Sequence, residues 1–389
     1  METQTGTGVV SSTVKGIDVS KIEQELSALW KRTTGSLKAE DVGSGVTRAC
    51  VLNLLVYATA HEERAEIERI LDEVFEQNPC RALILVADET AGDAGLAAHV
   101  SSHNCELEQG VKQICGEEVT IEAKGAAINS VASALAPLLV PDVPVFLWWK
   151  DIPHYENKLF DRMTALADRL VIDSCSFDHP HDDLKRLAQL IEERPDFVRV
   201  SDLNWGRLTA WRTLLASFWD VLDYKPLLNE IDRVTIEYDP PEIARGDLAA
   251  NALLIAGWLA SRLSWTMDAG GFAQDADTKR FALRAGDGRA VKVEIRACVD
   301  KKETDGLLAC VTLANDQARA QFYVGLSADG KRLQTEADIG DERTVGRIIN
   351  YEARSEGKRL SRELSFLAHD TIYEAAVIAA AQLVASIKQ

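Results

Sequence analysis

Apolar runs that alternate with amphipathic stretches constrain the fold of this chain more than any other feature. The run CVLNLLVY, Cys50 to Tyr57, is uninterrupted, as in a central strand that is covered on both faces. The following stretch, 61–77, repeats apolar residues at helical spacing, and Asn78-Pro79 ends it before the next apolar run, ALILVAD. This order predicts an α/β half, with a largely parallel or mixed sheet between helices.

The second half of the chain has a different pattern, which predicts an α+β fold. Helical stretches around 203–219 and 248–265 flank a short strand at 234–238. Strand-like segments separated by turn residues then follow from 280 to 336, and helices close the chain at 357–368 and 371–387. We therefore expect a helical region combined with an antiparallel meander.

These patterns divide the chain into an N-terminal α/β domain at 46–200 and a C-terminal α+β domain at 201–389. Residues 1–45 comprise a polar tail, a short amphipathic helix from about Lys21 to Arg32 and a flexible connector. Ser20 and Glu23 have the spacing of a capping box at the start of this helix. Its single apolar stripe favours docking on its own domain, with docking on another protein as the alternative.

Composition narrows the class of protein. The 389 residues include 43 basic and 61 acidic side chains, so the net charge is −18, and such a surface repels nucleic acid and anionic lipid. No stretch approaches the roughly 18 uninterrupted apolar residues of a membrane span. The N-terminus lacks a secretory pattern, and the seven cysteines are odd in number with no Cys-x-x-Cys pair. A cytoplasmic location is therefore expected.

The segment LLVPDVPVFLWWKD, Leu138 to Asp151, is the best candidate for protein contact. Its prolines enforce an extended approach to a short apolar strand that ends in Trp148 and Trp149. Side chains of adjacent strand residues point to opposite faces, so we expect at least one tryptophan near the surface, where it would anchor a partner. The alternative is that both fill the core.

Candidate chemistry is sparse. The densest titratable cluster, Asp173 to Asp183, has histidine and carboxylate side chains that suit a metal, although Asp182 and Asp183 are also typical of a first helical turn. Arg207 and Arg212, which follow Asp202, are candidates for a sugar-phosphate site. The chain contains no dinucleotide fingerprint, P-loop, HExxH or GxSxG motif. We expect no cofactor, no metal and no catalysis, with a sugar-phosphate- or metal-binding enzyme as the alternative.

Seven segments, in the same order, resemble the OpcA family of glucose-6-phosphate dehydrogenase assembly proteins. Besides the tryptophan segment these are NPCRALIL, KQICGEEVTI, LVIDSCSF, DLNWGRLTAWR, IDRVTIEYD and LLIAGWLASRLSW. The resemblance implies a non-catalytic partner that binds glucose-6-phosphate dehydrogenase, promotes its oligomeric assembly and allosteric activation, and so raises NADPH output of the oxidative pentose phosphate pathway. As partner-binding residues we predict Trp148, Trp149, Trp205, Arg207 and Trp211.

The resemblance also bears on redox regulation. Relatives of the cyanobacterial type carry adjacent cysteines at the position of Cys115 and Gly116, and members of that group are linked to thioredoxin. Because Gly116 replaces the second cysteine here, the same local pair cannot form. Cys105 and Cys115 are the candidate redox pair instead if their strands are neighbours, and thioredoxin is then a candidate second partner.

Overall fold

The structure is a computed structural model of the whole chain. It describes residues 5–12, 18–35, 50–60, 64–106, 112–153, 156–193, 198–240, 246–275, 277–298, 307–351, 354–366 and 368–388. The predicted connector at 35–45 lies almost entirely outside these residues.

The first sheet is mixed, as the sequence predicts. Its strands are β1 (Thr5–Ser12), β2 (Leu52–Thr59), β3 (Cys80–Asp88), β4 (Gly95–Glu106), β5 (Lys112–Lys124), β6 (Val145–Trp149), β7 (Arg169–Ile172) and β8 (Arg199–Asp202). Their order is β1-β4-β5-β3-β2-β6-β7-β8. The central pairs formed by β2, β3, β5, β6 and β7 are parallel, and β4 and β1 extend one side as antiparallel strands.

The second sheet also has eight strands. They are β9 (Arg233–Tyr238), β10 (Thr266–Gln274), β11 (Thr278–Arg284), β12 (Ala290–Ala297), β13 (Leu308–Asn315), β14 (Ala320–Leu326), β15 (Arg332–Ile339) and β16 (Glu342–Asn350). Their order is β10-β11-β12-β9-β13-β14-β15-β16. The predicted antiparallel meander is therefore incomplete, because β9 inserts between β12 and β13 and is parallel to β12.

Besides several short 3-10 helices, the described residues also form ten α-helices. They are α1 (Val19–Gly35), α2 (Arg64–Gln77), α3 (Ile128–Leu135), α4 (Lys158–Thr164), α5 (Pro180–Glu193), α6 (Leu203–Arg207), α7 (Thr209–Ser217), α8 (Ala250–Arg262), α9 (Glu356–Leu364) and α10 (Thr371–Ala385). The expected α/β class is confirmed. None of these helices is long and apolar enough to cross a membrane.

The chain folds into two compact units that interleave along the sequence. The first unit contains Met1–Ile172, Arg194–Ser201 and Arg354–Ala368, and the second contains Asp173–Glu193, Asp202–Ala353 and His369–Gln389. The sequence predicts continuous domains at 46–200 and 201–389 instead, and those bounds stay a prediction.

In the first unit, α1 docks on its own chain. Ile22, Leu26 and Leu29, one helical face, are at most 3% exposed. Arg81 of β3 fixes the helix electrostatically, because its guanidinium lies 2.6 Å from the Glu23 carboxylate and 2.9 Å from Glu117 of β5. The same side chain donates to the Leu138 carbonyl at 2.8 Å. The expected docking of α1 on its own domain is confirmed.

In the second unit, helices cover one face of the sheet. Val234 and Ile236 of β9 are fully buried, and Phe322 of β14 packs against Phe218 and Trp219 with ring centroids 5.2 and 4.8 Å apart. The helices α8 and α10 approach closely at Gly257, where an added Cβ would lie only 2.2 Å from the Ala376 carbonyl oxygen. Glycine is required there because any side chain would separate the two helices.

Several strands were not foreseen. The polar composition of residues 1–17 predicts disorder, and this is wrong for β1, whose backbone pairs antiparallel with β4. The strands β4, β10 and β16 were also missed, because their sequences are rich in Ser, His, Gly or Arg and lack the apolar alternation that marks a half-buried strand. Pairing with neighbouring strands forms them despite weak local propensity.

Candidate functional site

The two tryptophans of β6 are core residues. The prediction that at least one lies near the surface is wrong, because Trp148 and Trp149 are 0% and 1% exposed. Trp149 stacks on Tyr57 at 3.8 Å between ring centroids and meets Phe160 edge-on at 5.0 Å. The strand β6 lies inside the sheet between β2 and β7, and the burial of both tryptophans shows that both of its faces are covered. Their predicted partner-binding role is untested, and their burial argues against it.

Trp205 and Trp211 are buried as well, at 5% and 1% exposure. The Trp205 indole donates to the Asp370 carboxylate at 2.9 Å, and the guanidinium of Arg212 lies 3.4 Å from its ring centroid. Within the second unit, the bond to Asp370 attaches α6 to the start of α10, and the contact with Arg212 attaches it to α7. A partner would have to displace these contacts to reach Trp205. The partner-binding roles of Trp205 and Trp211 therefore stay predictions, and the burial of both side chains does not support them.

Arg207, the fifth predicted partner-binding residue, forms an internal ion pair. Its guanidinium donates two hydrogen bonds to the Asp173 carboxylate, each 2.6 Å long. Although burial lowers the pKa of Arg207, the hydrogen bonds and charge of Asp173 outweigh it and raise that pKa. Such a bidentate pair uses the donors that a sugar phosphate would need. Nothing at Arg207 therefore favours the sugar-phosphate alternative.

Beside this pair lies a fully buried carboxylate that the sequence reasoning missed. Asp202 accepts hydrogen bonds from the Ser174 amide at 3.0 Å, the Ser174 hydroxyl at 2.6 Å, the Asn204 amide at 2.9 Å and the Tyr373 hydroxyl at 3.2 Å. Burial, with the charge of Asp173 as the next cause, raises the pKa of Asp202 to about 6. The N-cap position of Asp202 before α6 could have been found from sequence. Its contact with Tyr373 could not.

The histidine and carboxylate side chains at 173–183 stabilise the fold through local contacts. Asp182 and Asp183 lie in the first turn of α5, as the helix-start interpretation predicts. His181 lies 3.0 Å from Asp247 through Nδ1, and its Nε2 accepts the Leu248 amide at 2.9 Å. Burial lowers the pKa of His181 to about 4. Among the described residues, no group of three or more His, Cys, Asp and Glu side chains could hold a metal ion.

Another buried histidine lies in the first unit. His103 of β4 is 4% exposed, with Nδ1 3.0 Å from Asp72 and Nε2 3.2 Å from Glu118. Burial lowers the pKa of His103, but the two carboxylates outweigh it and raise the pKa to about 9. His103 is therefore an imidazolium at neutral pH. The residues Glu117 and Glu118 of β5 thus each have a buried cationic partner, Arg81 and His103 respectively.

We expect His103→Gln to remove a pH-dependent part of the stability of the first unit. The native pKa of His103 is near 9, against about 6.5 in an unfolded chain. The native state therefore holds the extra proton between these values, and the stabilisation, complete below pH 6.5, is lost as the pH rises through 9. Denaturant unfolding from pH 6 to 9.5 should show a steeper loss in the native chain than in the variant, by about 3 kcal/mol.

His99→Gln is the matched control, because the His99 side chain is 27% exposed and lies 3.6 Å from one carboxylate among the described residues, that of Glu122. This variant should keep the native pH dependence. Equal pH profiles for the native chain and His103→Gln would contradict the assignment.

The candidate redox cysteines lie on neighbouring strands. The strands β4 and β5 pair antiparallel, with Cys105 opposite Gln113 and His103 opposite Gly116. Cys115 is buried and disulfide-bonded. The side chain of Cys105 lies outside the described residues. A redox function for the two cysteines stays a prediction.

The buried polar residues described above, Asp202, Arg207, His181 and His103, form caps and ion pairs that join secondary-structure elements. The chain is thus an α/β protein with two mixed sheets, in which these residues bond to other residues of the same chain.

Comparison with known proteins assigns the family. Residues 71–189 match the family model described as "Glucose-6-phosphate dehydrogenase subunit N-terminal domain", and residues 198–377 match the corresponding C-terminal domain. A protein of Nostoc punctiforme named OxPP cycle protein OpcA is 32% identical over 314 residues, which are 79% of this chain and 65% of the relative. The protein of the same name from Synechocystis sp. is 29% identical, with 81% of this chain and 66% of the relative covered. This chain belongs to the OpcA family.

The coverage of these relatives is partial, since the chain spans about two thirds of their length, 65% and 66%. Among solved structures, an oxidoreductase from Sinorhizobium meliloti has a TM-score of 0.49 and 11% identity, with 87% of this chain and 96% of that chain covered. That likeness is too weak to bear on function.

Proposed function

We propose that this chain binds glucose-6-phosphate dehydrogenase in the cytoplasm and promotes its oligomeric assembly and allosteric activation, without catalysing a reaction itself. The observation that carries the proposal is the match of both halves of the chain to domains described as subunit domains of that dehydrogenase. The arrangement of the buried residues supports the non-catalytic part of the proposal, because Arg207 and Asp173 use their hydrogen-bonding groups on each other. Asp202 likewise accepts its hydrogen bonds from Ser174, Asn204 and Tyr373.

The physical mechanism is linkage between binding and assembly. A protein that binds the active oligomer more tightly than the less active form shifts the population toward that oligomer by its differential affinity and by no more. The dehydrogenase would then work with a lower apparent KM or a higher kcat. The consequence would be a larger NADPH output of the oxidative pentose phosphate pathway.

The test is a titration of the chain into its cognate dehydrogenase, with initial rates and oligomer mass followed together. We expect the rate at subsaturating glucose 6-phosphate to rise and then saturate at the stoichiometry of the complex, while the mass shifts to a larger assembly. A shift in mass without a change in rate would reduce the role to a scaffold. Unchanged rate and mass at excess chain would refute the proposal.

The chain alone, incubated with glucose 6-phosphate and NADP, provides the control for catalysis. Formation of NADPH by the isolated chain would contradict the non-catalytic part of the proposal. Repeating the titration under reducing and oxidising conditions would show whether Cys105 and Cys115 affect the complex and would justify including thioredoxin as a second partner.

A further inference from the structure

The strand β16 is the most exposed regular element of the second unit. It is the last strand in the described order and pairs with β15. Eight of its nine residues, Glu342 to Asn350, are exposed, and only Ile349 is partly covered. A strand in this position presents a row of backbone donors and acceptors that another extended segment can use.

This strand also carries exposed apolar side chains. Val345 and Ile348 are 63% and 58% exposed, and among the strand residues whose side chains the structure describes they are the only large apolar ones that are so exposed. Their partners on β15 are Glu336 and Gln334, which places both on one face of the sheet across a β-bulge. Soluble proteins protect edge strands with charges and bulges, and β16 has both, but protection does not account for two apolar side chains.

The charges of β16 argue against a second copy of this chain as the occupant. Arg347 is exposed, and Arg343 is 64% exposed although its guanidinium contacts the Glu336 carboxylate of β15. Antiparallel self-pairing centred on Val345 would place Arg343 of one copy opposite Arg347 of the other, and like charges opposite each other are destabilising. Each copy also carries a net charge of −18, which adds a general repulsion.

The same charges favour a different partner. A segment that pairs with β16 should carry carboxylates opposite the two arginines and an apolar side chain between them to cover Val345. Pairing of this kind gives affinity through main-chain hydrogen bonds and specificity through alternate side chains.

We propose that β16 is a docking strand for glucose-6-phosphate dehydrogenase, to which it adds an extended segment of carboxylate–apolar–carboxylate pattern. This inference rests on the proposed function, because it names the surface that would carry it. The binding surface is thereby assigned to β16, whose residues a partner reaches without opening the core. The tryptophans that the sequence predicts for this role are buried, namely Trp148, Trp149, Trp205 and Trp211.

The test uses the double variant Val345→Lys/Ile348→Lys and the single variant Arg347→Glu, each titrated against the dehydrogenase beside the native chain. We expect the double variant to weaken binding by about tenfold or more, because it removes the apolar centre of the contact. The charge reversal should weaken it by a smaller factor and reduce its dependence on salt. Circular dichroism and the thermal midpoint should stay native, since all three side chains are exposed.

Leu222→Lys is the matched control, because Leu222 is 83% exposed in the same unit but lies outside every strand. It should bind as the native chain does. Native affinity in both β16 variants would overturn the docking assignment and leave the proposed function intact. A native chain that does not bind the dehydrogenase at all would overturn both. A dimer of the isolated chain that the double variant dissolves would assign β16 to a second copy instead.

Discussion

Arg81→Met should destabilise the first unit by about 3–5 kcal/mol, the range for breaking a buried ion pair by removing one partner. The side chains of Arg81 and Glu117 are 5% and 8% exposed, so removal of the guanidinium leaves a carboxylate inside the protein without its cation. The variant also loses the contact with Glu23 and the donor to the Leu138 carbonyl. Urea unfolding at pH 7 measures the loss, and faster proteolysis of α1 should accompany it.

A second substitution tests whether the loss of stability comes from the unpaired charge of Glu117 or from other effects of losing the Arg81 side chain. Arg81→Met/Glu117→Gln removes the uncompensated charge, so much of the lost stability should return. Arg64→Ala is the control, because Arg64 is 44% exposed and its pairs with Glu68 and Glu122 are surface contacts worth under about 1 kcal/mol. A double variant no more stable than Arg81→Met would show that the buried charge is not the cause.

Asp202→Asn should change how the stability of the second unit depends on pH. The native pKa of Asp202 is about 6, above the value near 3.9 of an unfolded chain. The native state thus holds more protons between about pH 4 and 6, and its free energy of unfolding falls as the pH rises across that window. Asparagine does not titrate, so the variant should gain about 2 kcal/mol relative to the native chain between pH 4 and 6.

The measurement is denaturant unfolding of both proteins at half-unit steps from pH 4 to 7. Asp341→Asn serves as the control, because the Asp341 side chain is 90% exposed and should leave the native profile unchanged. Parallel profiles for the native chain and Asp202→Asn would exclude a raised pKa at this carboxylate. A profile in which the variant loses stability toward pH 6 would reverse the assigned sign.

Both predictions concern groups that local sequence did not identify as a site. Arg81 and Glu117 are 36 residues apart, and each lies in a strand whose apolar pattern was recognised while its charged residue was not explained. Asp202 and Tyr373 are 171 residues apart. No periodicity or capping rule reports such a contact, because it depends on how distant segments pack.

The tryptophans show where inference from one strand fails. Alternation along β6 correctly places Trp148 and Trp149 on opposite faces. Exposure, however, depends on what covers those faces, and Tyr57 and Phe160 cover Trp149. Alanine at either tryptophan would open a large cavity, so its effect on binding would not identify an interface. The strand β16 shows the opposite case: its charged residues and glycine lack the apolar alternation of a strand, so the sequence does not predict it.

The sequence by itself determined the α/β class, the central strands, the first helical turn of α5 and the family, because apolar periodicity, caps and ordered segments are local properties of a chain. Only the tertiary structure decided which polar groups are buried partners, which tryptophans are core, and that β16 is exposed. Burial and pairing depend on neighbours that are far away in sequence, and local patterns carry no information about them.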